Sequence, residues 1–539
     1  MRKQFILSLL FLLAAGSLLS QPAQTWLQRF NGNAAGVDSA KCIGLDGSGN
    51  VYVGGTISNG ANGLDYCVVK YNSAGTQQWA SSYNNGGADW LNAMVVDNSG
   101  NTYITGGSQV GTNNLYGFCT IKINPSGVQL WVQRFELSLG NAGEARDIKT
   151  DAAGNVYVAG YLSLGGALTI IKYNSSGVQQ WIVNSGTVGN LKVSLAVNPL
   201  GYVYAAGTGA GFAGIYYYTV AYNSSGVQQW NVSYNGGSSL SLNYLSGIAV
   251  DDVTNDIYIL GTSTPYLGNQ NIVTVKYNSS GIQQWASSYN GPANGKDTAR
   301  AITLDALGNV IVTGGATTGS TFLDYCTIKY NPAGTQQWAS IYDGSGFADL
   351  ASNIVAGPYN YIYITGMSVG STLTADFATI KYNPSGVQQW AVRYNGPASG
   401  LSAVDFALGL AVDASGGTYV TGGSAGTSTG LDFCSVKYSA PVGITNQNSE
   451  VPVEYCLGQN YPNPFNPVTT IQFSLPVDDY ITLKIFDAAG RLVETLADKM
   501  GNAGVHKYSF DAASYTSGIY FYKLSTERFS STKKMLLIK

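Results

Sequence analysis

The sequence predicts an all-β protein: a β-propeller of eight four-stranded blades, closed by a clasp between its two ends, followed by a small C-terminal immunoglobulin-like β-sandwich. Three observations predict this fold. One ten-residue phrase recurs along most of the chain, its tryptophans are spaced like propeller blades, and the composition changes over the last 83 residues (457–539).

The N-terminus predicts a secretory signal peptide over residues 1–20. Arg2 and Lys3 precede an apolar run from Phe5 to Ala15, and small residues follow, which is the order found in signal peptides. No later stretch reaches the roughly 18 apolar residues that a membrane span needs. We therefore expect a chain that passes through the periplasm and is secreted or held at the outer cell surface.

Residues 21–441 are predicted to form the propeller. The phrase "KYNSSGVQQW" (172–181) has seven whole copies, which end at Trp79, Trp131, Trp181, Trp230, Trp285, Trp338 and Trp390. An eighth copy is split between "QTW" at Trp26 and "VKYS" at 436–439. Successive tryptophans are 49 to 55 residues apart, which is the length of a propeller blade.

Each repeat unit contains four short β-prone runs. In residues 285–331 they read "QWASSYNG", "ARAITLD", "NVIVTGG" and "DYCTIKYN", and turn residues bound each of them. The N-[SP]-[SA]-G turn of the phrase joins one unit to the next. If the Trp strand belongs to the preceding blade, the strand around Trp26 completes the last blade, "DFCSVKYS" (432–439), and closes the ring.

The repeated tryptophans and cysteines are predicted to be structural. An indole at one fixed position in every blade is what packing between blades requires, whereas Trp90 is off the pattern and is the candidate for an exposed contact. Four cysteines occupy one repeated position, and equivalent positions on stacked sheets lie about 10 Å apart, too far for disulfides. We expect all four to be buried and unbridged: Cys67, Cys119, Cys326 and Cys434.

Charge and composition exclude several functions. The net charge is −3 and the pI about 5.3, so no basic face is expected for nucleic acid. The single histidine, His506, lies outside the propeller, which argues against a histidine-based catalytic site or a zinc site there. No catalytic or metal-binding residue is assigned, and no cofactor is expected apart from Ca²⁺.

Four aspartates occupy one repeated position, five residues before the lysine of "KYN": Asp65, Asp324, Asp376 and Asp432. They belong to units that are neighbours in a closed ring, so we expect them to form an arc on one face. Such an arc could bind a cation, with Ca²⁺ as the candidate, or a polar ligand. The alternative is that each aspartate begins a strand or pairs with a nearby lysine.

Two classes of function follow. The first, which we favour, is a non-enzymatic binding, adhesion or structural module that displays loops toward an extracellular glycan or protein. The second is a secreted enzyme that acts on a polysaccharide with paired carboxylates from the aspartate arc. Turnover of a glycan, as opposed to stable binding of it, separates the two.

The repeats resemble a known bacterial family. "GNVYVGG", "GNTYITGG" and "DYCTIKYN…QQWA…YNG" are similar to SBBP-type β-propeller repeats over roughly residues 22–441. This resemblance implies an extracellular propeller without a common chemistry. The Gly-to-Trp spacing is also similar to the docking motif of quinoprotein dehydrogenases, a further alternative, but the adjacent cysteines typical of those enzymes are absent.

The C-terminal segment, after a predicted linker (442–456), resembles the type A sorting domain of type IX secretion over residues 457–539. The resemblance implies that the secretion machinery recognises this module. The matching residues are Tyr461, Pro462, Asn463, Pro464 and Phe465 at its start, Asp487 and Gly490 in the first hairpin, Gly518 and Tyr520 in a late strand, and Lys534 and Lys539 in the last. Alternation in "ITLKIFD" and "GIYFYKL" independently predicts a sandwich of six or seven strands.

Overall fold

The computed structural model describes residues 21–538 except 33–35, 61–62, 112–114, 136–141, 163–165, 212–213, 237–240, 267, 320–321, 345, 371–372, 401–402 and 440–454. The predicted signal peptide, most of the predicted linker and Lys539 lie outside the described residues. Among the residues that are described, no helix has the length and apolar character needed to cross a membrane.

The first half of the ring contains blades 1 to 4, preceded by β1 (Gln24–Phe30). Blade 1 comprises β2 (Ser39–Leu45), β3 (Val51–Ser58), β4 (Leu64–Tyr71) and β5 (Gln77–Tyr83). Blade 2 comprises β6 (Asp89–Val96), β7 (Thr102–Val110), β8 (Leu115–Ile123) and β9 (Gln129–Phe135). Blade 3 comprises β10 (Gly143–Thr150), β11 (Val156–Leu162), β12 (Ala167–Tyr173) and the first part of β13 (Gln179–Val197). Blade 4 comprises the last part of β13, β14 (Val203–Gly211), β15 (Gly214–Tyr222) and β16 (Gln228–Tyr234).

The second half contains blades 5 to 8. Blade 5 comprises β17 (Leu242–Val250), β18 (Ile257–Thr264), β19 (Asn271–Tyr277) and β20 (Gln283–Tyr289). Blade 6 comprises β21 (Asp297–Leu304), β22 (Val310–Thr317), β23 (Leu323–Tyr330) and β24 (Gln336–Tyr342). Blade 7 comprises β25 (Asp349–Ala356), β26 (Ile362–Val369), β27 (Ala375–Tyr382) and β28 (Gln388–Tyr394), with a 3-10 turn at Pro358–Asn360. Blade 8 contains β29 (Asp405–Val412), β30 (Thr418–Ala425) and β31 (Leu431–Tyr438).

The predicted clasp closes the ring. β1 pairs antiparallel with β31, Trp26 opposite Lys437 and Phe30 opposite Phe433, and the sheet order is β1-β31-β30-β29. The N-terminal strand therefore completes the C-terminal blade, as the split copy of the phrase predicts. Closure also covers the edge of β31, which would otherwise be open to pairing with other chains.

The repeated polar residues of the phrase build its turns. In blade 6, Asn331 Oδ1 accepts hydrogen bonds from the backbone N–H groups of Ala333 (3.1 Å) and Thr335 (2.9 Å). Asp305 Oδ1 accepts from the N–H groups of Leu307 (2.9 Å) and Asn309 (3.0 Å) in the other hairpin at the same end of the blade, and its Oδ2 lies 3.0 Å from Lys329 Nζ. These side chains fix the hairpins locally, which explains why the letters recur.

Each repeated tryptophan packs against the next blade. Trp285 covers Gly334, where an added Cβ would lie 2.7 Å from the indole, and its Nε1 donates to the carbonyl oxygen of Pro332 at 3.1 Å. The same contact with a turn glycine recurs at Trp26, Trp79, Trp131, Trp181, Trp230, Trp285 and Trp338. The structure therefore supports packing between blades as their role. The four repeated cysteines are buried and unbridged, as expected.

The C-terminal module is a two-sheet β-sandwich of seven strands: β32 (Cys456–Leu457), β33 (Val468–Leu475), β34 (Asp479–Asp487), β35 (Leu492–Gly501), β36 (Gly504–Asp511), β37 (Gly518–Ser525) and β38 (Ser530–Leu537). The sheet orders are β32-β33-β36 and β35-β34-β37-β38. The sandwich lies against blades 6 and 7, where Lys533 Nζ donates to the carbonyl oxygen of Ala306 at 2.9 Å and the Tyr359 hydroxyl donates to Gln472 Oε1 at 3.1 Å.

Candidate functional site

A cavity of about 410 Å³ lies on the ring axis. The inner strands of blades 4 to 8 enclose it, because residues of β13, β17, β21, β25 and β29 form most of its wall. Lys192, Arg300 and Phe406 are among the lining side chains. The cavity therefore offers a concave site with both charged and aromatic groups.

A β-bulge occurs at one repeated position of the inner strands. The pairing of β21 with β22 shifts between Ala299 and Ala301, so Arg300 is the extra residue. The same shift occurs in seven blades, and the extra residues are Lys41, Asn92, Arg146, Ser246, Arg300, Ser352 and Leu408. We call these seven residues the bulge ring; its last four members line the cavity.

Positive charge dominates the bulge ring and its surroundings. Lys41, Arg146 and Arg300 belong to the ring, and Lys192 lines the same cavity from β13. Lys41 Nζ donates to Asn92 Oδ1 at 3.3 Å. Burial, together with repulsion from Arg146, lowers the pKa of Lys41.

Two carboxylates stand beside this ring: Asp147, which follows Arg146, pairs with Lys149 at 3.0 Å, and Glu144 is engaged by the ring itself. Its Oε1 lies 2.5 Å from Arg146 Nε and accepts from Asn92 Nδ2 at 3.3 Å, while its Oε2 accepts from Trp90 Nε1 at 3.0 Å. Glu144 therefore balances Arg146.

Trp90, the predicted exposed contact, is half-buried in the inner strand of blade 2. Its ring meets Tyr116 edge-on, with centroids 4.2 Å apart, and covers Gly107. The hydrogen bond to Glu144 places the indole next to the bulge ring. Its role as a ligand contact stays a prediction.

Two of the predicted arc aspartates are held by arginines. Arg393 donates from Nε (3.2 Å) and Nη2 (2.8 Å) to Asp376 Oδ2, and Arg29 donates from Nη2 to Asp432 Oδ2 at 2.8 Å. The lysine pairing considered from the sequence is therefore replaced by arginine pairing from the neighbouring strand. Both carboxylates are nearly fully buried, which makes these ion pairs part of the blade interior.

The other two arc aspartates have neutral donors. Asp65 Oδ2 accepts from Asn59 Nδ2 at 2.7 Å and from Asn84 Nδ2 at 3.3 Å. Asp324 Oδ2 accepts from the Thr318 hydroxyl. Each of the four carboxylates thus has its own local partner within its blade, and their predicted role as a shared ligand site stays a prediction.

A second set of aspartates was missed from the sequence. Asp297, at the start of the inner strand of blade 6, accepts from the Gly291 N–H (2.6 Å) and the Thr317 N–H (3.2 Å) and so closes the preceding loop. Equivalent buried aspartates are Asp38, Asp89, Asp297, Asp349 and Asp405. The sequence could have predicted this set, because each of these inner strands has the pattern Asp-x-Ala or Asp-x-Leu at its start.

The two sets of aspartates meet most closely between blades 6 and 7. Asp324, Asp343 and Asp349 offer oxygens that all lie within 4.8 Å of one another. Two of these residues are buried, and Asp343 is exposed. Oxygen-only groups of this kind suit hard cations such as Ca²⁺.

The structure places the predicted sorting residues in two parts of the sandwich. Tyr461-Pro462 and Asn463-Pro464 are cis peptide bonds, and Phe465 enters the core. The remaining residues lie in turns and strands: Asp487 and Gly490 in the turn after β34, Gly518 and Tyr520 in β37, and Lys534 in β38. Asp487 Oδ1 accepts from two backbone N–H groups of its turn, which explains the Asp at that position.

Comparisons with known proteins agree with the C-terminal assignment. Residues 459–539 match the family model of the secretion system C-terminal sorting domain. An uncharacterized WD repeat-containing protein of Acanthamoeba polyphaga mimivirus is 24% identical over 445 residues, or 66% of this chain and 31% of that protein. The chain thus spans about a third of the length of this curated relative (31%).

Similar solved structures include propellers of several functions. PorZ, a surface component of the Porphyromonas gingivalis type IX secretion system, is 13% identical over 92% of this chain and 74% of its own, with a TM-score of 0.32. The periplasmic gluconolactonase PpgL of Pseudomonas aeruginosa is 14% identical over 57% and 87%, with a TM-score of 0.40. TM-scores this low carry no argument about this chain.

The sorting domain defines the route of the protein. A C-terminal sorting domain of type IX secretion indicates export to the cell surface or the medium, and it implies recognition by the secretion machinery. The match therefore indicates that the sandwich directs export of the chain that carries the ring.

Proposed function

We propose that the exported ring is a non-enzymatic binding module that takes an anionic extracellular glycan in its axial cavity. The bulge ring is the observation that carries this proposal, because an extra residue stands in the inner strand of seven blades, three of these seven residues are cationic, and one of the three, Arg300, lines the cavity. The repeat phrases further support an SBBP-type propeller over residues 21–441.

The chemistry of the cavity suits a short acidic saccharide. A volume of about 410 Å³ lies within the usual range for small-ligand sites, roughly 300–1,000 Å³. The guanidinium of Arg300 can bind a carboxylate or sulfate with two parallel hydrogen bonds, and Lys192 adds a second cation. Phe406 offers an apolar face for a sugar ring.

The polysaccharide-degrading enzyme is the second candidate, and the described cavity wall favours it less. Glycoside hydrolysis by the common route needs two carboxylates about 5 to 9.5 Å apart across the scissile bond. None of the described residues that line the cavity is acidic, and Glu144 beside it is bonded to Arg146, Asn92 and Trp90. A bound glycan would therefore be held without being cut.

A binding screen tests the proposal. The full exported chain is passed over immobilised neutral, uronic-acid and sulfated glycans, and both retention and released saccharide are measured. We expect salt-sensitive retention on acidic glycans without released product. Retention on neutral glycans alone, or release of product, would contradict the proposal, and release would support the enzyme.

A further inference from the structure

The carboxylates between blades 6 and 7 point to a second site, away from the axis. We propose that Asp324, Asp343 and Asp349 bind one Ca²⁺ ion and so join these two blades. Three separate elements bring the ligands together: Asp324 is the second residue of β23, Asp343 directly follows β24, and Asp349 begins β25. Their oxygens lie within 4.8 Å of one another.

An unpartnered oxygen marks the buried side of the site. Asp349 is 0% exposed, and its Oδ2 accepts from the Gly344 N–H at 2.6 Å. Its Oδ1 is buried and has no partner in good hydrogen-bonding geometry within the described part of the chain; the Ser368 hydroxyl, which accepts from Arg393 Nη1, lies near enough to lower the pKa of this carboxyl but does not satisfy that oxygen. The equivalent Oδ1 of Asp297 accepts the Thr317 N–H. A buried carboxylate oxygen without a donor is costly, and a cation would satisfy it.

The repeat pattern shows that blade 6 differs from most of the other blades at this site. The position of Asp343, five residues after the repeated Trp, is asparagine in five other units: Asn31, Asn84, Asn235, Asn290 and Asn395. The position of Ile341, three residues after the Trp, holds Arg29 and Arg393 in the blades where the arc aspartate is paired. Blade 6 therefore has a carboxylate, Asp343, at the first of these positions. At the second it has Ile341, where blades 7 and 8 have the arginines that neutralise Asp376 and Asp432.

The electrostatics of the cluster favour a bound cation. Burial raises the pKa of Asp324 and of Asp349, and repulsion from Asp343 raises both further. Hydrogen bonds lower them: the Thr318 hydroxyl acts on Asp324, and the Gly344 N–H and the Ser368 hydroxyl act on Asp349.

The cation that faces this region is Arg393, which also influences the pKa of the neighbouring Tyr342. Arg393 donates to Asp376 Oδ2 at 2.8 Å and to the Ser368 carbonyl oxygen at 2.8 Å, so it is already engaged by blade 7.

Ligand type selects Ca²⁺ over other ions. The three side chains offer only carboxylate oxygens, whereas zinc sites use histidine and cysteine. Ca²⁺ takes six to eight oxygens in flexible geometry, so water can complete its shell on the exposed side, at Asp343. None of the three residues lines the axial cavity, so this site and the proposed glycan site can fail independently.

Calorimetric titration tests the site. CaCl₂ is titrated into the full exported chain after removal of metal with a chelator. We expect one ion per chain with a Kd of about 10⁻⁴ M or tighter, and at least about tenfold weaker binding for Asp343→Asn. This variant restores the asparagine of five other units, so the fold is expected to persist. Asp498→Asn, an exposed carboxylate on the sandwich, is the matched control and should leave binding unchanged.

A gain-of-function variant gives a second measurement. Asn84, in blade 1, occupies the position that Asp343 has in blade 6, and it stands beside Asp65 and Asp89. Asp89 Oδ1, like Asp349 Oδ1, is buried without a partner in good hydrogen-bonding geometry in the described structure. Asn84→Asp is expected to add a second Ca²⁺ ion per chain. The proposal is overturned if the wild-type chain binds no Ca²⁺, if Asp343→Asn binds it equally well, or if Asn84→Asp leaves the stoichiometry unchanged.

Discussion

At the scale of the residue, one repeated aspartate position has different partners in different blades. Asp376 and Asp432 pair with arginines, Asp65 accepts from asparagines, and Asp324 accepts from the Thr318 hydroxyl near two further carboxylates. The repeat predicts the position of the carboxylate but not its partner, because the partner comes from a neighbouring strand whose own residue varies from blade to blade.

Loss of the arginine partner should destabilise blade 7. Arg393→Gln leaves Asp376 buried and unpaired, so we expect the free energy of unfolding to fall by about 2–4 kcal/mol. Chemical denaturation followed by tyrosine and tryptophan fluorescence measures this. Arg300→Gln removes a guanidinium that contacts the axial cavity and should change the same quantity by less than about 0.5 kcal/mol. Equal losses in the two variants would contradict this account of the ion pair.

The proposed Ca²⁺ site should make stability depend on pH. The pKa values of Asp324 and Asp349 are raised, chiefly by burial, so the metal-free folded chain keeps protons there at higher pH than the unfolded chain does. Without metal, this contribution to stability is lost as pH rises through the raised pKa, whereas Ca²⁺ needs the deprotonated carboxylates and stabilises more as pH rises.

We therefore expect Ca²⁺ to raise Tm more at about pH 7 than at about pH 4.5. Differential scanning fluorimetry with Ca²⁺ and with chelator measures the difference. Asp343→Asn should abolish it, and a Ca²⁺ effect that is equal at both pH values would count against the site.

At the scale of the element, the contact between tryptophan and turn glycine joins neighbouring blades. The sequence predicts that the tryptophans pack between blades, and the structure adds the partner, a glycine in the turn of the next blade. Among the described residues, Trp390 has no such glycine partner, because the chain leaves the ring after β31 and blade 8 lacks the turn of the repeated phrase. The partner could not be predicted, since it depends on how far one blade is rotated relative to the next.

Filling one of these contacts should cost more than backbone strain alone. Gly334→Ala places a Cβ 2.7 Å from Trp285 at a backbone φ of +84°, so we expect a loss of about 2–4 kcal/mol in the free energy of unfolding. Gly400→Ala, with a φ of +88° and open space around the Cβ, should lose only about 1 kcal/mol. Denaturant unfolding of the two variants compares them, and equal losses would show that the tryptophan contact is not tight.

At the scale of the whole molecule, the repeat predicts the closed eight-bladed ring, and the alternating segments after residue 457 predict the terminal sandwich. Copy number, spacing and the split phrase depend only on the order of residues, and they specify the architecture. The cationic axis was not predicted. The net charge of −3 averages over the whole chain, whereas Lys41, Arg146 and Arg300 occupy the same bulge position in three inner strands.

Removal of the clasp should open the ring. Deletion of residues 21–31 removes β1, exposes the edge of β31 and leaves Asp432 without Arg29. We expect Tm to fall by about 10 °C or more and the chain to associate through the open edge, as measured by thermal melting and light scattering. An excess of a synthetic peptide of residues 21–31 should restore part of the Tm, whereas a scrambled peptide should not. An unchanged Tm without β1 would contradict closure by the clasp.

The most direct test of the central claim, an exported ring that binds an acidic glycan on its axis, is equilibrium titration of the full exported chain with a uronic-acid or sulfated oligosaccharide. The account predicts one ligand per ring, no cleavage, and binding about tenfold weaker in Arg300→Gln but unchanged in Lys507→Gln on the sandwich. Cleavage of the ligand, or binding that Arg300→Gln leaves unaltered, would contradict it.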